Sequence, residues 1–221
     1  MTPAANYGAE DKMEAEWSRL LEILYRTSFR IADSAEFRLA SGRYSRYYID
    51  CKQALSYPEA RELLGRLICH LLDDERFDAV GGLEIGAYPI ATTVSDRMYR
   101  DSGATLRAFV IRKQPKSHGV TDLIAGHVRS GDRTLIVDDV LTTGQSTIDA
   151  ITRAREAGLQ VTTAILMVDR EEDDGKQNIE KHDVRCSSLF TLADLIRKAN
   201  ADESKKNQTS GSAGSLQRKS A

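Results

Sequence analysis

The sequence predicts an α/β fold with a central parallel sheet flanked by helices. Apolar stretches of strand length alternate with stretches of helical period through its middle. Several strand candidates, Val161 to Val168 above all, are apolar at nearly every position, as strands covered on both faces must be. The length of 221 residues suits one domain with a sizeable core.

In chain order, residues 1–9 carry little pattern, and a helix begins near Asp11 with Trp17, Leu20, Leu21 and Leu24 on one face. Arg38 to Ile49 reads as extended around a Ser41-Gly42 turn. Ser56-Tyr57-Pro58-Glu59 reads as a helix start, with Ser56 as N-cap and Glu59 at the capping-box spacing. Leu63, Leu64, Leu67, Ile68, Leu71 and Leu72 then recur at helical period. Phe77 to Gly82 is a short strand running into a glycine turn, followed by a helix from Ile90 to Tyr99. Strands follow at Leu106 to Ile111 and at Arg133 to Val137. A helix from Gln145 to Glu156 has Gly158 to end it. After the Val161–Val168 strand come a weaker strand, Val184 to Phe190, and a helix from Leu192 to Lys198. From Ala201 to Ala221 the chain is rich in Ser, Gly, Lys and Gln with one large aliphatic, Leu216, which predicts a disordered tail. The expected division is an N-terminal hood over about 10–55, an α/β core over about 56–200, and the tail over 201–221.

Composition narrows the function. The formal charge of -2 speaks against a general nucleic-acid binder, which needs a basic face. No apolar run approaches the roughly 20 residues that span a bilayer, so no membrane partner is expected. Residues 1–11 lack a basic segment followed by an apolar one, so no signal peptide is expected. Cys51, Cys69 and Cys186 are too few and too far apart for a disulfide framework or a CxxC site, which suits a cytoplasmic protein with reduced thiols.

The segment richest in chemistry is Thr134-Leu135-Ile136-Val137-Asp138-Asp139-Val140-Leu141-Thr142-Thr143-Gly144-Gln145-Ser146-Thr147. A hydrophobic strand ends in two carboxylates, and a small, hydroxyl-rich glycine loop leads into a helix N-terminus. Such a loop binds anions through backbone N–H groups, the helix dipole and added hydroxyls. No Gly-Lys-Ser/Thr occurs, so it is not a Walker A loop. An acid pair beside a phosphate loop repels phosphate unless it binds something else, such as sugar hydroxyls or a hydrated cation.

This string resembles the 5-phosphoribosyl 1-diphosphate (PRPP) signature of the type I phosphoribosyltransferases. The resemblance implies that Asp138 and Asp139 hold the ribose hydroxyls. It likewise implies that Thr142, Thr143, Gly144, Gln145 and Ser146 surround the 5-phosphate, with Val140 and Leu141 also binding PRPP. Three other segments are similar to orotate phosphoribosyltransferases in particular. Leu39-Ala40-Ser41-Gly42-Arg43-Tyr44-Ser45-Arg46-Tyr47-Tyr48-Ile49-Asp50 resembles the element whose paired side chains lie over the pyrimidine, which implies Tyr48 and Ile49. Gly82-Leu83-Glu84-Ile85-Gly86-Ala87-Tyr88-Pro89-Ile90-Ala91 resembles the diphosphate loop, which implies Ile85 and Gly86. Arg112-Lys113-Gln114-Pro115-Lys116-Ser117-His118-Gly119 resembles the loop that closes over the leaving diphosphate. It implies PRPP contacts from Arg112, Lys113, Lys116 and His118, with Lys116 and His118 catalytic beside the acid pair.

The resemblance also implies orotate contacts from Thr142 and from Arg170, whose planar fork suits a carboxylate. It implies Mg²⁺ carried mainly by PRPP, with no metal ligand from the protein, and a homodimer in which loop 112–119 reaches the neighbouring subunit's site. The expected activity is transfer of the phosphoribosyl group from PRPP to orotate. The alternatives are a phosphoribosyltransferase for another base, or a non-catalytic PRPP-sensing regulator that binds nucleic acid. One departure stands out: Ala40 occupies the position where many family members carry Lys.

Overall fold

The computed structural model describes residues 7–39, 42–72, 75–114 and 123–215. Its centre is a six-stranded sheet. The strands, numbered in chain order with the short hood strands included, are β5 (Ala79–Leu83), β6 (Arg107–Ile111), β7 (Ile124–Gly126), β8 (Arg133–Leu141), β9 (Gln160–Asp169) and β10 (Arg185–Thr191). Their spatial order is β10-β9-β8-β5-β6-β7. The first five of these run parallel, and β7 lies antiparallel on β6 at the edge. The expected α/β sheet is therefore present, with one reversed edge strand that the sequence did not reveal.

Helices cover both faces, as the strand burial requires. In β9 every residue from Thr163 to Val168 is buried. On one side lie α3 (Pro58–Leu72), α4 (Ala87–Ser102), α1 (Tyr7–Ser28) and α7 (Leu192–Ser215), sharing a core with Val80, Leu135, Val137, Ile165 and Met167. On the other, α5 (Gln145–Glu156) and α6 (Gly175–Glu180) pack Ile151, Ala154 and Ile179 against Ile136, Leu166 and Phe109. Neighbouring strand residues point to opposite faces, so Ile136 and Val137 enter different cores. α1 is pinned to the sheet end by Trp17, whose Nε1–H donates to the Leu189 carbonyl at 2.9 Å and whose ring meets Phe190 at 5.1 Å.

The hood consists of α1, the short strands β1 (Phe29–Ile31), β2 (Phe37–Arg38), β3 (Tyr44–Ser45) and β4 (Tyr47–Ile49), and α2 (Cys51–Leu55). β1 pairs antiparallel with β4, and β2 with β3.

Several boundaries differ from expectation, four of them as follows. α1 starts at Tyr7, before Asp11. Ser56 does not begin α3: it ends α2, and its hydroxyl donates to the Gln53 carbonyl at 2.7 Å. The capping box is not formed, because Glu59 pairs with Arg19 on α1 instead. β8 extends to Leu141, four residues past Val137, because Val140 and Leu141 continue the ladder with Val168 and Asp169 of β9. The acid pair thus sits inside the strand. α7 runs to Ser215 rather than stopping at Lys198, so helix continues over residues 201–215 of the expected tail; residues 216–221 lie outside the described residues. Its first turns are tied to α1 by Lys198, which pairs with Glu22 and with Asp202 one turn on.

Candidate active site

The sheet's connectivity opens a crevice between β5 and β8. The chain leaves β5 towards β6 on one side and leaves β8 towards β9 on the other. The loops that follow the two strands therefore diverge, and ligands of open α/β sheets bind at such switch points. The β5 loop is the expected diphosphate loop, and the β8 loop is the PRPP-like segment.

The two carboxylates of β8 divide by strand alternation. Asp138 points inward and is 5% exposed. Its Oδ2 accepts from the Ser146 hydroxyl at 2.7 Å and the Thr147 hydroxyl at 3.2 Å, and its Oδ1 from the Asp139 N–H at 3.0 Å. Burial, and after it the charge of Asp139, pushes its carboxyl up to about 7, against the pull of those donors. Asp139 is the more open of the two, and its Oδ1 accepts only the adjacent Val140 N–H at 3.1 Å among the described hydrogen bonds. The pair expected to act together on ribose is thus asymmetric. Asp138 anchors the start of α5, while Asp139 faces the crevice.

The phosphate loop follows from two glycine positions. Gly144 precedes α5 at φ +83°, and a side chain there would press on the Gly175 carbonyl and on Ile179. Thr142 and Thr143 are half-buried beside it; the Thr143 hydroxyl accepts the Gln145 N–H at 3.3 Å, and the Thr143 carbonyl accepts from Asn178 Nδ2 at 3.1 Å. Across the crevice, Gly86 caps α4 so close to Asp139 that an added Cβ would overlap its carboxylate. The segments around Ile85-Gly86 and Asp138–Ser146, expected to meet over one substrate, are therefore in contact. Ile85 is 68% exposed at the rim.

Other expected residues fall around this centre with different fits. Arg112 and Lys113 follow β6; the Arg112 N–H donates to the Leu123 carbonyl, and the Lys113 N–H donates to Glu84 of the diphosphate loop at 2.8 Å. Lys116, His118 and Ala40 lie outside the described residues. Tyr48 is exposed, with Phe37 at 5.4 Å, but Ile49 is 8% exposed and packs into the core opposite Phe29. The two side chains of the expected base-facing pair thus lie on opposite faces, because alternation along β4 sends one out and the next one in.

Arg170 is 3% exposed and heavily engaged. Its fork meets the Glu172 carboxylate at 3.0 and 3.2 Å, and it donates to the Ser45 hydroxyl at 3.0 Å and the Tyr47 carbonyl at 3.3 Å. It joins the hood to the core, and Arg43 repeats the link by pairing with Asp173.

Lys52 escaped the sequence reading. Its Nζ lies 2.6 Å from Asp50 Oδ1 and 3.6 Å from Asp139 Oδ2. Burial works to lower its pKa, but the two carboxylates outweigh burial and hold it above the ordinary lysine value. Its neighbour Cys51 is fully buried, and burial followed by the Asp139 charge raises its thiol well above normal, which makes it an inert donor to the Asp139 carbonyl at 3.7 Å.

Comparison with known proteins agrees with this geometry. A family model for a phosphoribosyl transferase domain matches residues 52–201. A parallel sheet with an acid pair, a hydroxyl loop and a glycine loop meeting at its switch point defines that class, and the chain belongs to it. A protein of Aquifex aeolicus described as orotate phosphoribosyltransferase is 40% identical over 181 residues, covering 82% of this chain and 98% of its own. Another of that name from Methanocaldococcus jannaschii is 39% identical over 160 residues, covering 72% and 86%. The crystal structure of Mycobacterium tuberculosis H37Rv orotate phosphoribosyltransferase in complex with PRPP superposes with a TM-score of 0.65 at 30% identity, covering 82% of this chain and 92% of that one. Within the class, the chain belongs to the orotate phosphoribosyltransferases.

Proposed function

We propose that this chain transfers the 5-phosphoribosyl group from PRPP to orotate, giving orotidine 5′-monophosphate and diphosphate, a step of pyrimidine biosynthesis. One observation carries the site assignment: the open carboxylate of Asp139 stands against Gly86 of the diphosphate loop, with the Thr142–Ser146 loop continuing from the same strand. A sugar phosphate bearing a diphosphate at C1 fits that order, with ribose hydroxyls at Asp139, the 5-phosphate at Thr142–Ser146, and diphosphate towards Ile85-Gly86.

The base nitrogen attacks C1 as the C1–O bond to diphosphate breaks, through a transition state with positive charge on the ring. Asp139 positions the sugar, and Asp138 keeps the phosphate loop in place through Ser146 and Thr147. Arg112, Lys113 and Lys116 offset the charge growing on the leaving group, and His118 arrives with Lys116 as their loop closes and excludes water. Tyr48 offers its exposed ring to the pyrimidine. Thr142 and Arg170 receive the orotate, the guanidinium by giving up its Glu172 contact for the orotate carboxylate.

Mg²⁺ suits the donor set as a companion of the substrate. Asp138 is spent on hydroxyls, so Asp139 would be the carboxylate to meet the ion's water shell. When bound, the ion supplies neutralisation of the diphosphate. A homodimer places loop 112–119 of one subunit over the other's site. A cytoplasmic location suits the free thiols of Cys51, Cys69 and Cys186.

A panel of bases tests the substrate. With Mg-PRPP present, orotate absorbance is expected to fall with time, while uracil, adenine and hypoxanthine remain unchanged. Turnover of a purine with none of orotate would overturn the reading.

A further inference from the structure

The two sides of the crevice differ in charge. Residues Gly82 to Ala91 of the diphosphate loop contain no Lys or Arg; their one charged residue is Glu84. Asp138 and Asp139 add two carboxylates on the opposite strand. A substrate with a phosphate at one end and a diphosphate at the other must settle among these groups. At contact distance, like charges repel by about 1 kcal/mol even in bulk water, and by several times that in a partly buried cleft. Among the described residues, the cation placed against Asp139 is Lys52.

Its position is specific. Asp50 caps α2, accepting the Lys52 N–H at 3.3 Å, and so fixes the first turn of α2 against β8. The Cys51 thiol meets the Asp139 carbonyl, and Lys52 reaches the Asp139 side chain. At 2.6 Å the ammonium hydrogen-bonds Asp50, whereas 3.6 Å from Asp139 is an electrostatic approach too long for a hydrogen bond. An ammonium has three protons, so donors remain for a ligand. The side chain is 48% exposed, which leaves it open to the crevice. The Asp139 carboxylate is thus flanked by the Gly86 backbone and by the Lys52 ammonium.

We propose that Lys52 is a PRPP-binding residue, whose ammonium offsets the Asp139 carboxylate and donates to oxygens at the C1 end of the substrate. This rests on the reading of the crevice as a PRPP site. It assigns to the hood–core junction a cation that the diphosphate loop itself lacks. Asp50 serves as the counter-charge that parks Lys52 while the site is empty.

Three variants separate this role from a structural ion pair. Lys52→Met should weaken binding of Mg-PRPP, titrated calorimetrically without base, by roughly tenfold or more, and Lys52→Arg should stay within about threefold of the parent. Asp50→Asn keeps the helix cap but releases the ammonium, so it should bind Mg-PRPP as tightly as the parent or a few-fold more tightly. The KM for orotate should change less than about twofold in Lys52→Met. Undiminished PRPP binding by Lys52→Met overturns the proposal. Weakening in Lys52→Met and Asp50→Asn together also overturns it, since a structural pair loses as much from either side. If the parent binds Mg-PRPP but leaves orotate unconsumed, the base assignment fails and the role of Lys52 stands.

Discussion

Asp139→Ala should lower kcat/KM for PRPP by roughly 10²–10³-fold while leaving the fold intact. A hydrogen bond to a charged group contributes about 1.5–3 kcal/mol, and one carboxylate facing two ribose hydroxyls supplies two. Some of that is recovered by water, which leaves about 3–4 kcal/mol, or two to three powers of ten in rate. The fold loses little, because Asp139 accepts one N–H from its own neighbour and otherwise meets Lys52 at 3.6 Å. A second consequence can be read in the same variant. The Asp139 charge helps to raise Asp138, so its removal should move the Asp138 titration to lower pH. Steady-state kinetics across pH together with thermal unfolding would check both. A fall of less than fivefold would remove Asp139 from sugar binding.

Asp138→Asn should separate stability from activity. The Asp138 carboxyl is raised by burial, then by Asp139, from 3.8 to about 7. The folded state therefore holds a proton that the unfolded chain has released between about pH 4 and pH 7. More protons bound in the folded state mean that stability falls as pH rises through that window and is flat above it. This is opposite in sign to a carboxylate such as Glu22, which the Lys198 ammonium holds below the ordinary range and whose contribution is lost only as pH falls past about 4. Asn keeps the shape and cannot ionise. The variant should melt above the parent at pH 8, and the gap should narrow towards pH 5. Activity should nonetheless fall, because Asn offers one acceptor oxygen where the two of Asp138 serve three donors, so the phosphate loop is held less firmly. A parent that melts higher at pH 8 than the variant would refute the buried-charge account.

Much of this was legible in sequence where local pattern decides the outcome. α5 has the bounds that Gln145 to Glu156 suggested, and β9 contains the all-apolar run. The acid pair, the hydroxyl loop and the glycine loop were found because each is contiguous in the chain. Failures came where partners distant in sequence decide. Asp138-Asp139 looked like the end of a strand, since two charges seldom continue one, yet the β9 ladder carries β8 past them. Ser56 and Glu59 matched a capping box, but α2 and Arg19 claim them first. The motif pairs Ile49 with Tyr48, yet the strand sends these adjacent side chains to opposite faces. Lys52 had no motif at all. The available signal was Asp50 as a cap two residues ahead of a lysine, at the junction between the hood and the core.

Phosphoribosyl transfer to orotate at the β5–β8 crevice can be followed by phosphorus NMR of the parent chain with Mg-PRPP. The PRPP resonances should persist without base and, once orotate is added, give way to free diphosphate and one new phosphomonoester in equal amounts. PRPP that survives orotate, or that is consumed equally without it, would contradict the account.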